Sequence, residues 1–131
     1  MTGLDTNVLV RYFAQDDPIQ SRKAVEIIER RLTEDEPGFV SVVALIEMVW
    51  VLSRAYGLSD GEIAGVVEGM LQSDTLVVQN EQEVFTAVAA LRSGRGSFAD
   101  ALLSALGMWA GCATTLTFDK KAARMDGFEL I

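Results

Sequence analysis

Short apolar runs alternate along this chain with longer stretches whose apolar residues recur at helical spacing, and few folds accept that order except an α/β arrangement around a mostly parallel sheet. A strand is expected at Thr2 to Asp5, with a helix through Val8 to Ala14 directly behind it. After Asp16-Asp17-Pro18 a second helix is expected to run on to about Glu34, with Ala24, Ile27, Ile28 and Leu32 on its apolar face. Glu34 to Gly38 reads as a loop into a strand at Phe39-Val40, and helices then occupy about Val42 to Tyr56 and Ser59 to Gln72, split by Gly57. A strand at Thr75 to Val78, a helix at about Glu81 to Leu91 and a flexible loop at Ser93 to Gly96 follow. A helix from Phe98 to Ala110 and strands at Ala113 to Thr117 and Phe128 to Ile131 complete a five-stranded pattern flanked by helices. No repeat, low-complexity segment or linker interrupts it, so residues 1–131 are expected to form one domain.

Four carboxylates break this pattern from inside its apolar parts: Asp5 before Val8-Leu9-Val10, Glu47 within Val42 to Leu52, Asp100 before Ala101-Leu102-Leu103, and Asp119 after Leu116-Thr117-Phe118. Glu47 is the most telling, because every other residue from Val42 to Leu52 is apolar and its neighbours want to be buried. An ionised carboxylate in such surroundings is costly unless something neutralises it. With no histidine in the chain and few cations near these positions, a divalent metal held by several oxygens is the simplest partner. Asp5 and Asp119 fall at the carboxyl ends of strands, where open α/β sheets bind their ligands. Asp100 in the first turn of its helix can face the same crevice and Glu47 can enter from the side of a buried helix, so the four are expected to converge. Capping offers a structural account of the aspartates: Ser97-Phe98-Ala99-Asp100 fits a capping box, Asp5, Thr6 or Asn7 can cap the first helix, and Thr117 and Asp119 the last. Glu47 lacks that account, although a buried ion pair or an oligomer contact would also place it there.

Composition narrows the function classes. Eleven Lys+Arg against 19 Asp+Glu give a net charge of −8 and a pI near 4.4, which argues against a generic electrostatic nucleic-acid binder. A nuclease that meets phosphates through metal ions needs only a local cationic rim, and Arg92 with Arg95, Lys120 with Lys121 and Arg124, and Arg11 close to Asp5 supply candidates. Half the residues are hydrophobic, yet no run approaches the roughly 18 residues of a membrane span and the first residues lack a cationic signal-peptide start, so a cytoplasmic location is expected. The single Cys112 makes neither an internal disulfide nor a thiolate metal site, and reads as a small core residue. Trp50 and Trp109 sit in strongly apolar helices and read as core or dimer packing.

The ordered set Asp5-Thr6-Asn7-Val8-Leu9, Glu47 in a hydrophobic helix after Ser41, Phe98-Ala99-Asp100-Ala101-Leu102 and Thr117-Phe118-Asp119-Lys120-Lys121 resembles the PIN-domain ribonucleases. In length, order and spacing it is most similar to the VapC toxins of toxin–antitoxin pairs. The Arg95-Gly96-Ser97 that precedes Phe98-Ala99 departs from what many relatives carry, which bears on substrate choice. The resemblance implies a three-layer PIN-like fold with a central, mostly parallel five-stranded sheet. It also implies an endoribonuclease in which Asp5, Glu47, Asp100 and Asp119 hold one or two Mg²⁺ or Mn²⁺ ions. Asp5 and Asp100 would be the principal ligands, Glu47 and Asp119 would act partly through water, and Thr6, Asn7 and Thr117 would orient the acids or the scissile phosphate. Such a site needs no protein nucleophile, since a metal-bound water attacks. Arg92, Arg95 and Arg11 are the candidate RNA contacts. A VapB-like antitoxin is the implied inhibitor, and the apolar surface of Val42 to Leu52 with Val66, Val67, Met70 and Leu71 suggests a homodimer.

Other classes meet part of the pattern. A phosphoacceptor receiver domain has this length and clustered aspartates, but it needs an acidic pair where this chain has only Asp5, and it leaves Glu47 without a role. A catalytically silent PIN-like scaffold would not be expected to keep all four acids. A DNA-cleaving relative of flap nucleases would need helical elements for which the chain is too short.

Overall fold

The computed structural model describes all residues from Met1 to Ile131, and they fall into two compact units, Met1–Gln79 and Asn80–Ile131.

The first unit is a three-stranded parallel sheet with helices threaded between its strands. β1 (Thr2–Gly3) pairs with β2 (Gly38–Val40), and β2 with β3 (Leu76–Val78); Thr2 stands opposite Gly38, and Gly38 opposite Leu76. α1 (Thr6–Ala14) and α2 (Pro18–Glu26) connect the first two strands, and α3 (Val42–Arg54) and α4 (Asp60–Leu71) the next two. Each start is written in the sequence: Asp17 accepts from the N–H groups of Ile19 and Gln20 ahead of Pro18, and Ser41 accepts from Ala44 N–H at 3.1 Å. The long helix expected to reach Glu34 ends sooner. α2 widens into a π-helical turn over Ile27–Arg31, closed by Leu32 N–H on the Ile27 carbonyl, which leaves Ile28 and Leu32 both buried. Thr33 and Glu36 then bond reciprocally through Thr33 N–H and Thr33 Oγ1, and that turn delivers the chain into β2.

α3 decides how the core of this unit is filled. Ala44, Leu45, Met48 and Leu52 face inward with Val67 and Met70 of α4 and Val40 of β2. Helical geometry sends Val43, Glu47 and Trp50 to the opposite side, and all three are exposed. Two expectations are corrected here: Glu47 does not sit in a buried helix face, and Trp50, 61% exposed, is not a core residue but lies under the Arg54 guanidinium at 5.8 Å. The apolar excess expected on α3 and α4 is likewise smaller, since Val67 and Met70 are buried.

In the second unit α5 (Glu81–Arg92) packs on α6 (Phe98–Trp109), with Val84, Ala87, Val88 and Leu91 meeting Phe98, Ala101 and Leu102 in its core. β4 (Thr115–Thr117) and β5 (Phe128–Leu130) form a parallel pair joined through a 3₁₀ turn at Ala122–Arg124, with Thr115 opposite Phe128. All five expected strands are therefore present, paired in parallel within a group of three and within a group of two rather than in one five-stranded ladder. α6 ends in a Schellman turn: Gly111 N–H bonds the Met108 carbonyl and Cys112 N–H the Gly107 carbonyl, with Gly111 at φ +97°. That turn carries the chain outward, so Cys112 is exposed and not the core residue expected, and Trp109 in the last turn is 70% exposed.

Candidate active site

At the carboxyl end of β1 the chain passes through Leu4 and Asp5 straight into α1. Asp5 occupies the N-cap position with extended backbone, and its side chain accepts no capping bond; its main-chain carbonyl takes Val8 N–H at 3.1 Å instead. The carboxylate is thus left over from the work that its position usually demands. Thr6, buried, donates through Oγ1 to Glu47 Oε2 at 2.9 Å. One residue therefore follows Asp5 in the chain and orients Glu47 by a charge-assisted hydrogen bond, and α1 and α3 are held side by side at this edge. Asn7 stands exposed beside them.

The start of α3 lies at the carboxyl end of β2, and its own donors are satisfied by Ser41 and by Gln79, whose Oε1 accepts Val42 N–H at 2.9 Å. Gln79 is a residue that the sequence reading missed. Its position directly after β3 was the available signal, because polar groups at that end of a parallel sheet stand where ligands bind. By closing the α3 terminus it fixes the helix that carries Glu47.

Arg11 is heavily engaged. Nε donates to Gln20 Oε1 at 2.7 Å and one terminal nitrogen to Asp16 Oδ1 at 2.9 Å and Tyr56 Oη at 3.2 Å, while Tyr56 donates to the other oxygen of Asp16. The Tyr56 hydrogen bond, more than any other influence, holds the Arg11 pKa above its ordinary value and that of Asp16 below the usual carboxylate range; the Asp16 bond in turn raises Tyr56. This network ties the end of α1 to the segment before α2 and to the segment after α3.

In the second unit Asp100 lies in the first turn of α6, where Ser97 Oγ accepts the Asp100 N–H at 3.1 Å. The carboxylate makes no return bond to Ser97, so half of the expected capping box forms. Asp119, after β4, is positioned by Thr117, whose Oγ1 accepts its N–H at 2.9 Å. Its Oδ1 accepts Lys121 N–H at 2.8 Å and Ala122 N–H at 3.4 Å, so the capping account holds for one oxygen of Asp119. Arg92 and Arg95 are both exposed, at the end of α5 and in the loop leading to α6.

Each unit thus supplies two of the four acids, and within neither unit do three carboxylate or thiolate side chains stand at metal-holding spacing. In each unit the candidate donors are carboxylate oxygens beside a threonine hydroxyl, a chemistry that suits hard Mg²⁺ or Mn²⁺ and not zinc or copper. No helix is long and apolar enough to cross a membrane. A search among curated proteins found no match to this chain. The family model described as the PIN domain matches residues 4–128, nearly the whole chain and across both units, so the chain belongs to the PIN-domain family and has its nuclease-type α/β fold.

Proposed function

We propose that this protein is a metal-dependent endoribonuclease of the VapC toxin type. The observation that carries the reading is the carboxyl end of β1, where Asp5 withholds its side chain from the helix cap and Thr6 aims Glu47, in a chain that belongs to a family of nuclease-type fold. The extent of the family match supports treating residues 1–131 as one PIN-like domain.

On this reading Asp5, Glu47, Asp100 and Asp119 hold Mg²⁺ or Mn²⁺, with Asp5 and Asp100 as the direct ligands and Glu47 and Asp119 acting partly through water. The bound ion supplies a water of lowered pKa and a positive charge for the phosphate and the leaving 3′-oxygen. The chain's own side chains position and polarise. Thr6 holds one oxygen of Glu47 and leaves the other for the ion. Thr117 fixes the backbone of Asp119, whose Oδ1 is occupied by the 3₁₀ turn, which leaves Oδ2 for the ion. Asn7 presents an amide to the scissile phosphate, and Arg92 and Arg95 hold flanking phosphates. Arg11 contributes field and order at the α1 end, since its donors are largely taken by Asp16, Gln20 and Tyr56. We further propose a cytoplasmic homodimer with α3 at its contact, using exposed Val43 and Trp50, and inhibition by a VapB-like antitoxin that offers a cation to the acids.

The test is incubation of purified, antitoxin-free protein with total bacterial RNA in Mg²⁺, in Mn²⁺ and in EDTA, beside an Asp5→Asn variant. Discrete cuts with 5′-phosphate ends, absent in EDTA and in the variant, are expected. Intact RNA in every lane overturns the reading.

A further inference from the structure

The second unit carries a cavity of about 420 Å³ that none of the four acids lines. Ala105, Met108 and Met125 give it an apolar wall, and Arg95, Arg124 and Asp126 give it charge. Its frame is fixed by one backbone and one side-chain hydrogen bond. Arg95 N–H closes the end of α5 on the Ala90 carbonyl at 3.0 Å, and Ser104 Oγ of α6 donates to the Asp126 carbonyl at 3.2 Å. Gly96, next to Arg95, lies so close to Met125 that a Cβ there would overlap the methionine sulfur, so the loop and the wall are packed as one piece. Arg95 and Arg124 take no part in the ion pairs of the amino terminus, Arg11 and Arg30. Two guanidinium groups beside an apolar wall, in a chain of net charge −8, suit a ligand that joins an anion to a flat, partly apolar body.

We propose that this cavity binds one nucleotide of the RNA strand outside the scissile bond, an inference that rests on the ribonuclease reading. Arg95 and Arg124 hold its phosphate, Met108 and Met125 pack on the base through sulfur–aromatic contacts, and Asp126 accepts from a base amino group. The acceptor takes the exocyclic amino group of adenine, cytosine or guanine, whereas uracil offers it only the ring N3–H. Volume selects a nucleotide over a peptide: compact small-molecule sites span roughly 300–1,000 Å³, whereas a bound peptide segment needs a groove with successive pockets along it.

Calorimetric titration of the whole chain in EDTA, where no cleavage intervenes, tests this with AMP, CMP, GMP, UMP, inorganic phosphate and a glutamate-rich peptide. The amino-bearing nucleotides are expected to bind, with UMP and phosphate roughly tenfold weaker. Arg124→Ala and the cavity-filling Ala105→Phe should each weaken AMP about tenfold, with thermal melting confirming that both variants fold. No nucleotide binding, binding untouched by both variants, phosphate as tight as AMP, or the peptide tighter than any nucleotide overturns the proposal. Nucleotide binding without RNA cleavage in Mg²⁺ would instead support the cavity and sink the ribonuclease reading; cleavage without nucleotide binding does the reverse.

Discussion

Helices α4 and α6 begin alike, with a serine N-cap and an acid three residues on, and they use that acid differently. At Ser59 the box closes: its Oγ accepts Glu62 N–H at 3.2 Å, and Glu62 Oε1 accepts Ser59 N–H at 3.0 Å. At Ser97 only the first bond forms, because the Asp100 side chain is one methylene shorter and does not return to the cap. The starts of α2 and α1 repeat the contrast, with Asp17 accepting two backbone N–H groups and Asp5, in the same cap position, accepting none. A carboxylate that completes a cap is consumed by the fold. Asp5 and Asp100 stand at helix starts and are not consumed, which separates them from Asp17 and Glu62 at matching positions. Asp119 falls between, with one oxygen on the 3₁₀ turn and the other not used by it.

Substitution offers the strongest way to break this contrast. Asp5→Asn and Asp100→Asn are each expected to lower RNA cleavage on the order of a thousandfold, the scale of losing a metal's charge stabilisation at the phosphate. Thermal stability should change only by the small helix-dipole contribution of an acid at a helix start, since neither carboxylate makes a capping bond. A cleavage assay beside a melting curve decides it: a large fall in Tm with activity intact would return both aspartates to capping. Thr6→Val comes next. It removes the donor to Glu47 while nearly keeping shape, and supporting groups of this kind are worth about 10–100-fold in activity or metal affinity. A raised Mg²⁺ requirement, corrected in Thr6→Ser, is the expected signature. If Thr6→Val cleaves at the wild-type rate across a Mg²⁺ titration, the Thr6–Glu47 bond is a packing detail.

The two serines sharpen the comparison at smaller scale. Ser59→Ala should cost about 1 kcal/mol of stability, the usual worth of an N-cap, and leave cleavage alone. Ser97→Ala should cost the same stability and also reduce cleavage, because it loosens the turn that carries Asp100. Denaturant unfolding and a cleavage assay on both variants make the comparison, and equal behaviour of the two would remove the distinction drawn between the caps.

Much of this was legible in the sequence for a physical reason. Helix starts at Pro18, Ser59 and Phe98 carry capping residues, and strands at β2, β3, β4 and β5 are short apolar runs bounded by turn residues, so local chemistry specifies them. What could not be read was orientation. Val42 to Leu52 is apolar all round except for Glu47, so no periodicity said which face α3 would bury, and Trp50 and Glu47 came out on the exposed side. The apolar setting of Cys112 hid the Schellman turn that carries it to the surface. The π-helical turn at Ile27–Arg31 was invisible because a widened turn keeps nearly the same spacing of buried residues as an α-helix. At the candidate site, the acids could be found as anomalies of pattern, whereas Gln79 offered only its place directly after β3, and its bond to Val42 appears only once β3 and the start of α3 are adjacent.

Titration gives the finest test of the two caps. Ser59 N–H, and after it the Ser59 hydroxyl, hold the Glu62 pKa below the ordinary glutamate value. A depressed folded-state pKa means that the unfolded chain binds the proton more readily. Glu62 therefore stabilises the fold above its unfolded pKa of about 4.3 and loses that contribution as pH falls through its lower folded value. The Glu62→Gln variant should melt below the wild type at pH 7, and the gap should close as pH falls below about 4. Asp16 and Glu36, also held low by Tyr56 and by the amino terminus, keep an acid limb in both proteins, so the difference between the two curves is the informative quantity. Cleavage at pH 7 should be the same in both. If the melting curves instead run parallel down to pH 3, the Ser59–Glu62 box does not hold in solution, and the contrast with Ser97–Asp100 loses the arm that defines a consumed carboxylate.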